Sequence, residues 1–390
     1  MRWDNSMRLF DEARGLIPWG VQTGSKKPDF LFFGEGPVYV KKAFGSHIMD
    51  VDGNEYVDYV MGLGAIILGY NISVQRDAIL KTMSDYILTS VSSPLEIEVA
   101  KKIVALVPSA EMVRFFKTGA EATSAAIRLV RHIRGRDKIL ACGYFGWHDW
   151  ANSGSGIPVC IRELTERFDW KDVGSLEGRL KSDEYAAVIV EPVIDNEPDK
   201  ETLEYLRKIT TLTGTVLIFD EIKTGFRFSP GGAQEYFGVI PDITILGKGI
   251  ANGMPLSAVA GRRDLMKKME DLWISTTYGS EALSFASAAA TLNMINKTNV
   301  EKIWELGKEL MDGLKSIIDR SKIDAEVVGF SPMSRIKFAK EEDERTFIRR
   351  SMESGILFKR GGYNFISMSH TRDDIQRSLD VAENALKGVE

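Results

Sequence analysis

Apolar residues in this chain occur either in short unbroken runs or at helical spacing. Residues 216–219 are a continuous apolar run, and residues 243–246 are apolar except for Thr244; both segments are typical of strands covered on both faces. Helical spacing follows Gly119, where apolar residues recur three and four positions apart over residues 122–133. The two patterns alternate from about residue 63 to residue 290. This alternation predicts an α/β fold with a mostly parallel sheet covered by helices.

The two ends of the chain carry shorter patterns that predict a smaller α/β region. Near the start, residues 7–15 are expected to form an amphipathic helix, and residues 38–40 and 47–51 the strands of a hairpin region. Beyond residue 300 the pattern predicts a helix at 301–320, strands near 325–328 and 334–338, and helices at 344–354 and 372–387.

Composition limits the class of protein. The chain has 390 residues, of which 44% are hydrophobic, so it is long enough for a large core and two domains. A net charge of -5 gives no basic field for nucleic acid. Two cysteines, Cys142 and Cys160, and four histidines provide no metal-ligand spacing or disulfide framework, which indicates a reducing, cytoplasmic setting and no bound metal. No apolar run approaches ~18 residues, so no membrane span is expected. Charges scattered through residues 1–20 leave no uninterrupted apolar core there, so no signal peptide is expected either.

An acidic and a basic residue each stand at the end of a predicted strand. Asp220 follows the run at 216–219, and Lys248 lies between two glycines after the run at 243–246. Carboxyl ends of parallel strands meet at one edge of a sheet, so the two side chains could share a site. Pyridoxal phosphate (PLP) chemistry requires such a pair: an amine that condenses with the cofactor aldehyde, and a carboxylate that keeps the pyridine nitrogen protonated. The alternative is a helix cap at Asp220 and a solvated loop lysine.

A candidate phosphate site occurs earlier in the chain. Residues 112–116 are predicted to form a strand, which passes through a turn at Thr118, Gly119 and Ala120 into a helix. The first turn of a helix offers free N–H groups and a positive dipole end to a phosphate. The Gly-Lys-Ser/Thr ending of a nucleotide P-loop is absent. Taken alone, the turn is better explained as an ordinary strand-to-helix connection.

Six ordered blocks of sequence together resemble a known family. They are residues 49–70, 112–140, 143–150, 188–193, 216–260 and 366–375. In these blocks, and from about Gly36 to the end, the chain resembles class III (fold type I) PLP-dependent aminotransferases, most closely the branch that contains glutamate-1-semialdehyde aminomutase. The resemblance implies a fold type I PLP-transferase whose smaller domain is discontinuous, with residues 1–62 and 291–390 in the small domain and 63–290 in the large one.

The resemblance also implies roles for individual residues. Lys248 would be the cofactor-bound, proton-shuttling lysine, and Asp220 the partner of the pyridine nitrogen. The positions implied to bind the cofactor are Thr118, Gly119, Ala120, Tyr144, Glu191, Asp220, Lys248 and Thr277. Thr277 matches a threonine that reaches the phosphate of the neighbouring subunit, so a homodimer is expected. Glu221 lies near the site without an assigned step.

Several of these positions have a structural alternative. Tyr144 could be a core aromatic residue, Thr277 part of a Ser/Thr-rich turn, and Glu191 a partner in a structural ion pair. His148 and Asp149 resemble an acid/base pair, but we expect them to orient the loop that carries Tyr144, because Lys248 already supplies the base.

The chain departs from the aminomutase at two places that bear on the substrate. The aminomutase has an arginine for the substrate carboxylate where this chain continues with Gln22 and Thr23, and a functional glutamate where this chain has Gly362. Polar residues at one edge, Gln22 and Thr23, and Arg360 at the other are therefore candidate substrate contacts. They suit a polyhydroxylated or anionic carbonyl compound.

These observations predict an aminotransferase with a ping-pong mechanism. The expected donor is glutamate and the expected acceptor a ketone or aldehyde of a polar, possibly sugar-like metabolite, as in amino sugar biosynthesis. Three alternatives remain open: a PLP-dependent isomerase, either the aminomutase or a racemase; a PLP-fold binding protein without catalysis; and a dinucleotide-dependent enzyme, for which the glycine-rich fingerprint is missing.

Overall fold

The structure, a computed structural model, describes residues 1–387. Its strands are β1 (Val40–Phe44), β2 (His47–Asp50), β3 (Glu55–Asp58), β4 (Met112–Phe116), β5 (Lys138–Cys142), β6 (Thr165–Arg167), β7 (Tyr185–Val190), β8 (Val216–Asp220), β9 (Ile243–Leu246), β10 (Ser257–Gly261), β11 (Ala325–Phe330), β12 (Met333–Phe338), β13 (Ile356–Leu357) and β14 (Asn364–Phe365).

The α-helices are α1 (Asp4–Arg14), α2 (Pro28–Leu31), α3 (Ser73–Asp85), α4 (Pro94–Leu106), α5 (Gly119–Arg134), α6 (Val159–Arg162), α7 (Leu176–Leu180), α8 (Lys200–Thr213), α9 (Ala233–Phe237), α10 (Arg263–Met266), α11 (Ala282–Met294), α12 (Lys297–Arg320), α13 (Glu341–Glu353) and α14 (Arg372–Leu386). Short 3-10 helices cover Pro18–Gly20, Gly24–Lys26, Asp149–Ala151, Trp170–Ser175, Lys248–Ala251, Lys267–Asp271 and Thr277–Ser280. No helix among the described residues is long and apolar enough to cross a membrane.

The chain divides into two units. The first is discontinuous and contains Met1–Ile72 and Glu301–Glu390, and the second contains Ser73–Val300. The boundaries expected from the sequence, after residues 62 and 290, each lie ten residues before these divisions.

The second unit is built on a seven-stranded sheet in the order β4-β10-β9-β8-β7-β5-β6. Neighbouring strands from β9 to β6 are parallel, while β10 runs antiparallel to both β4 and β9. Every residue of β7, β8 and β9 is buried. That burial accounts for their mainly apolar sequence, in which only Asp220 and Thr244 are polar, since no face of these strands meets water.

Helix α5 packs against this sheet and begins next to its carboxyl edge. Its apolar face joins one buried cluster with β5, β7, β8 and β9. Thr118 caps its first turn, and Gly135, with φ 59°, ends it in the left-handed conformation that glycine adopts without steric cost. The segments that follow β5, β7, β8 and β9 leave the sheet at the same edge, which is where an α/β sheet binds its ligand.

The first unit contains two smaller sheets. One has the order β1-β2-β3-β13, in which β13 is parallel to β3, and the other is the antiparallel sheet β11-β12-β14. The strand expected at residues 38–40 instead begins at Val40 and runs through Lys41 and Lys42 to Phe44. The three residues from Val40 to Lys42 are exposed, so the strand lacks the apolar alternation that marks a half-buried one.

Candidate active site

Asp220 and Lys248 lie at the ends of adjacent parallel strands. Asp220 is the last residue of β8 and pairs in register with Ile245 of β9. Lys248 follows the end of β9 and opens a 3-10 helix with a left-handed φ of 45°. The Asp220 side chain is buried, and its Oδ1 accepts a hydrogen bond from the Ile222 N–H at 3.0 Å. The sequence predicts that Asp220 and Lys248 share a site, and the adjacent positions of β8 and β9 in the sheet explain how they could.

Burial shifts both groups toward their neutral forms. It raises the pKa of Asp220 to about 8, an effect that the nearby carboxylate of Glu191 increases. It lowers the pKa of Lys248 to about 8, and the cation of Lys223 contributes in the same direction. Perturbation by desolvation together with specific charges is typical of a functional site. A neighbouring cation would stabilise the buried carboxylate of Asp220, so this residue fits the protonated pyridine nitrogen of PLP. Lys248 has an appreciable neutral fraction near neutral pH, so it fits the aldehyde of PLP.

The turn before α5 offers donors for an anion. The N–H groups of Gly119 and Ala120 belong to the first turn of the helix, where no intrahelical acceptor is available. A Cβ atom at position 119 would lie 2.5 Å from Cδ1 of Ile222, so glycine allows the turn to approach the segment after Asp220. A phosphate held by these amides would complete the PLP site.

Thr118 takes part in a capping box that sequence reasoning missed. Its hydroxyl accepts a hydrogen bond from the Glu121 N–H at 3.2 Å, while Oε2 of Glu121 accepts one from the Thr118 N–H at 2.8 Å. The signal was present in the sequence as threonine followed three residues later by glutamate. The phosphate contact of Thr118 stays a prediction alongside this capping role.

Tyr144 lies in a loop that is fastened to α5. The hydroxyl of Thr123 donates to the Phe145 carbonyl at 2.9 Å, and the hydroxyl of Ser124 lies 2.7 Å from Nδ1 of His148. Tyr144 itself is 69% exposed, so its ring is available to stack on a flat ligand. The contact between Ser124 and His148 supports the expectation that His148 orients this loop.

The two glutamates near the site have different environments. Glu221 is buried, and its carboxylate accepts hydrogen bonds from the backbone N–H groups of Ala233 and Gln234 at 2.6 and 2.9 Å, at the start of α9. These contacts indicate a structural role. Glu191 instead forms an ion pair with Lys223, with 2.9 Å between Oε1 and Nζ. The sequence allowed for an ion pair at Glu191 but did not identify Lys223 as its partner, because residues in loops carry no periodic signal.

Thr277 opens a 3-10 helix and is exposed. Four residues later, Glu281 caps α11 and forms a 2.9 Å ion pair with Lys117, the residue before the candidate phosphate-binding turn. Thr277 is thereby carried on a segment that is attached to that turn in its own chain. Its contact with the site of a neighbouring subunit stays a prediction.

The candidate substrate residues all belong to the first unit, whereas the candidate cofactor residues belong to the second. Gln22 and Thr23 are exposed just before a 3-10 helix. The guanidinium of Arg360 lies 3.4 Å from the ring centroid of Phe33 and 3.0 Å from a carboxylate oxygen of Glu341. These contacts give Arg360 a structural function within its own unit, and its role in substrate binding stays a prediction.

No group of three or more His, Cys, Asp or Glu side chains in the described part of the chain could hold a metal ion. The second unit contains a desolvated carboxylate, a desolvated amine and the free backbone amides at the start of α5. The carboxylate and the amine lie at strand ends, and the amides lie in the turn that leads into α5. This combination suits an organic phosphate cofactor with a basic ring nitrogen and an aldehyde.

Comparison with known proteins agrees with this geometry. The family model described as "Aminotransferase class-III" matches residues 34–149 and 159–382. A glutamate-1-semialdehyde 2,1-aminomutase of Archaeoglobus fulgidus is 34% identical over 99% of this chain and 100% of its own length. That alignment spans 423 positions, more than the 390 residues here, so the relative has residues that this chain lacks.

Solved structures confirm the fold expected from the sequence. The PLP internal aldimine form of the FumI protein of Sphingopyxis sp. MTA144 superposes with a TM-score of 0.93 at 27% identity, covering 98% of this chain and 96% of that one. A transaminase with PLP bound superposes with a TM-score of 0.92 at 26% identity, covering 99% and 98%. The α/β fold with a mixed sheet covered by helices is that of PLP-dependent fold type I transaminases, and the cofactor of this class is PLP.

Proposed function

This chain belongs to the class III aminotransferase family, and we propose that it is a PLP-dependent aminotransferase that moves an amino group between two small molecules. The observation that carries the proposal is the adjacent pair of Asp220 and Lys248, both desolvated at the ends of β8 and β9. Transfer rather than isomerisation is favoured by this chain's own departures from the aminomutase pattern, at Gln22 and at Gly362.

PLP supplies an electron-accepting ring and an aldehyde that condenses with amines. Lys248 would hold the cofactor through its amine and, once displaced by the donor, would move a proton at the donor's α-carbon. Asp220 would keep the ring nitrogen protonated. The amides of Gly119 and Ala120 would orient the phosphate, and the ring of Tyr144 would cover one face of the cofactor. The expected donor is glutamate. The expected acceptor is a polar, sugar-like carbonyl compound, and this expectation rests on the sequence alone.

A second candidate is an isomerase, the glutamate-1-semialdehyde 2,1-aminomutase. The names of full-length relatives favour this candidate over an aminotransferase, since the Archaeoglobus fulgidus protein of that name is 34% identical. The same Lys248 and Asp220 would serve it, because both reactions move a proton beside the same ring. The two candidates differ in whether a second substrate is consumed.

The test is to mix PLP-loaded protein with either L-glutamate or glutamate-1-semialdehyde alone. An aminotransferase should release one equivalent of 2-oxoglutarate from L-glutamate, stop when the cofactor has been converted to its amino form, and resume when a carbonyl acceptor is added. An aminomutase should convert glutamate-1-semialdehyde continuously, moving its amino group from carbon 2 to carbon 1 with no co-substrate. Continuous conversion combined with no release of 2-oxoglutarate would reject the first candidate.

A further inference from the structure

A buried ion pair between Lys223 and Glu191 lies at the same edge of the sheet as Asp220 and Lys248. The Nζ atom of Lys223 is 2.9 Å from Oε1 of Glu191, and the two side chains are only 17% and 8% exposed. Glu191 directly follows β7, and Lys223 stands three residues after the end of β8. Both residues therefore leave the sheet at the edge where Lys248 follows β9. The proposed chemistry assigns no step to either of them.

The backbone fixes where this pair lies. Next to the lysine of the pair, Ile222 donates its N–H to Asp220, and its Cγ1 would lie 3.3 Å from a Cβ atom at position 247, the residue before the reactive lysine. On the other side, a Cβ atom on Gly143 would lie only 2.6 Å from Cγ of Glu191, and Gly143 has a φ of 129° that favours glycine. The segments that carry the two members of the pair are therefore closely packed, one against the residue before Lys248 and the other against Gly143.

Four charged groups act on the amine of Lys248. Burial is the main cause of its lowered pKa, the cation of Lys223 is the next, and Arg227 adds a smaller effect in the same direction. Glu191 and Asp220 act in the opposite direction. The two members of the ion pair thus oppose each other at Lys248, although they attract each other.

We propose that the Lys223–Glu191 ion pair regulates the charge of the Lys248 amine, with Lys223 favouring the neutral, nucleophilic form and Glu191 the protonated form. Both residues act through Lys248, by their charge, and are therefore positioning residues and not catalytic ones. The inference rests on the proposed role of Lys248 but not on whether the reaction is transfer or isomerisation.

The test uses the full chain without cofactor. Acetic anhydride acylates only neutral amines, so the rate of acylation of Lys248, followed by peptide mass spectrometry across a pH series, gives the pH at which the amine is half neutral. Lys223→Met should raise this midpoint and Glu191→Gln should lower it, each by about one pH unit, the order of effect that a neighbouring charge has in a buried site. Lys223→Arg keeps the cation and should leave the midpoint close to that of the unsubstituted protein.

Circular dichroism melting identifies the variants that fold. Shifts of opposite sign in folded variants support the proposal, whereas unchanged midpoints or shifts of the same sign overturn it. If Lys223→Met does not fold, Glu191→Gln decides alone: a lowered midpoint supports the proposal, and an unchanged or raised one rejects it. Failure of the proposed function would appear separately, as continued turnover by a Lys248→Ala variant.

Discussion

Replacing Glu221 by glutamine should weaken the fold while leaving the chemistry intact. Four donors converge on this buried carboxylate: Oε1 accepts from the N–H and the side-chain amide of Gln234 at 2.9 and 3.1 Å, and Oε2 accepts from the Ala233 N–H at 2.6 Å and the Thr224 hydroxyl at 2.7 Å. Burial raises the pKa of Glu221, and these donors act against that effect. The carboxylate joins the loop after β8 to the start of α9.

The magnitude follows from the best orientation that a glutamine could adopt. Its oxygen would take the place of Oε1 and keep both bonds from Gln234. Its NH₂ group would then face the Thr224 hydroxyl, which can reverse and accept, and the Ala233 N–H, which cannot. One buried backbone donor would lose its acceptor, at a cost of about 1–3 kcal/mol. The opposite orientation would leave two donors of Gln234 unsatisfied and is disfavoured.

The assay is urea unfolding of Glu221→Gln, followed by circular dichroism, together with release of 2-oxoglutarate from L-glutamate. Glu235→Gln is the matched control, because Glu235 belongs to the same helix but is exposed. Glu221→Gln should lower the urea midpoint clearly more than the control, while the folded fraction keeps its rate of 2-oxoglutarate release. A variant as stable as the control that has lost this reaction would refute the structural role and place Glu221 in the chemistry.

Further predictions concern the site and the pH response. Lys248→Ala should bind PLP but show no turnover, checked by retained cofactor after gel filtration, and sustained turnover would contradict its assignment. Asp220→Asn should lower the rate at least 100-fold, far more than it lowers cofactor occupancy, because an amide cannot hold the ring nitrogen protonated. Gly146→Ala should weaken PLP binding, measured by cofactor titration, since its φ is 93° and a Cβ atom would lie 2.6 Å from that of Ala120; an unchanged affinity would show that the turn can adjust. In the first unit, the hydrogen bond to Asp374 raises the pKa of His47. The stability that this histidine contributes is therefore full below about pH 6.5 and is lost as the pH rises through the raised pKa. In His47→Gln the urea midpoint should vary less over that pH range, and an unchanged pH dependence would exclude His47 as its cause.

The strands and helices of the second unit could be predicted because their burial is reflected in the sequence. Strands β8 and β9 are apolar except for Asp220 and Thr244, since every residue in them is buried. Strand β1 begins later in the chain than the sequence predicts, because its exposed residues show no alternation of apolar and polar side chains. A strand whose side chains meet water has no apolar signature to find.

The sequence by itself determined the chemistry that is available: Asp220 and Lys248 at strand ends, and a glycine turn that opens α5. A residue at a strand end is located by the periodicity of the strand, and parallel strands bring their ends to one edge. Only the tertiary structure decided the roles of the charged residues in the loops, where Glu221 caps α9 and Glu191 pairs with Lys223. Such partners are far apart in sequence and are selected by packing and desolvation, which depend on the whole fold and leave no local pattern.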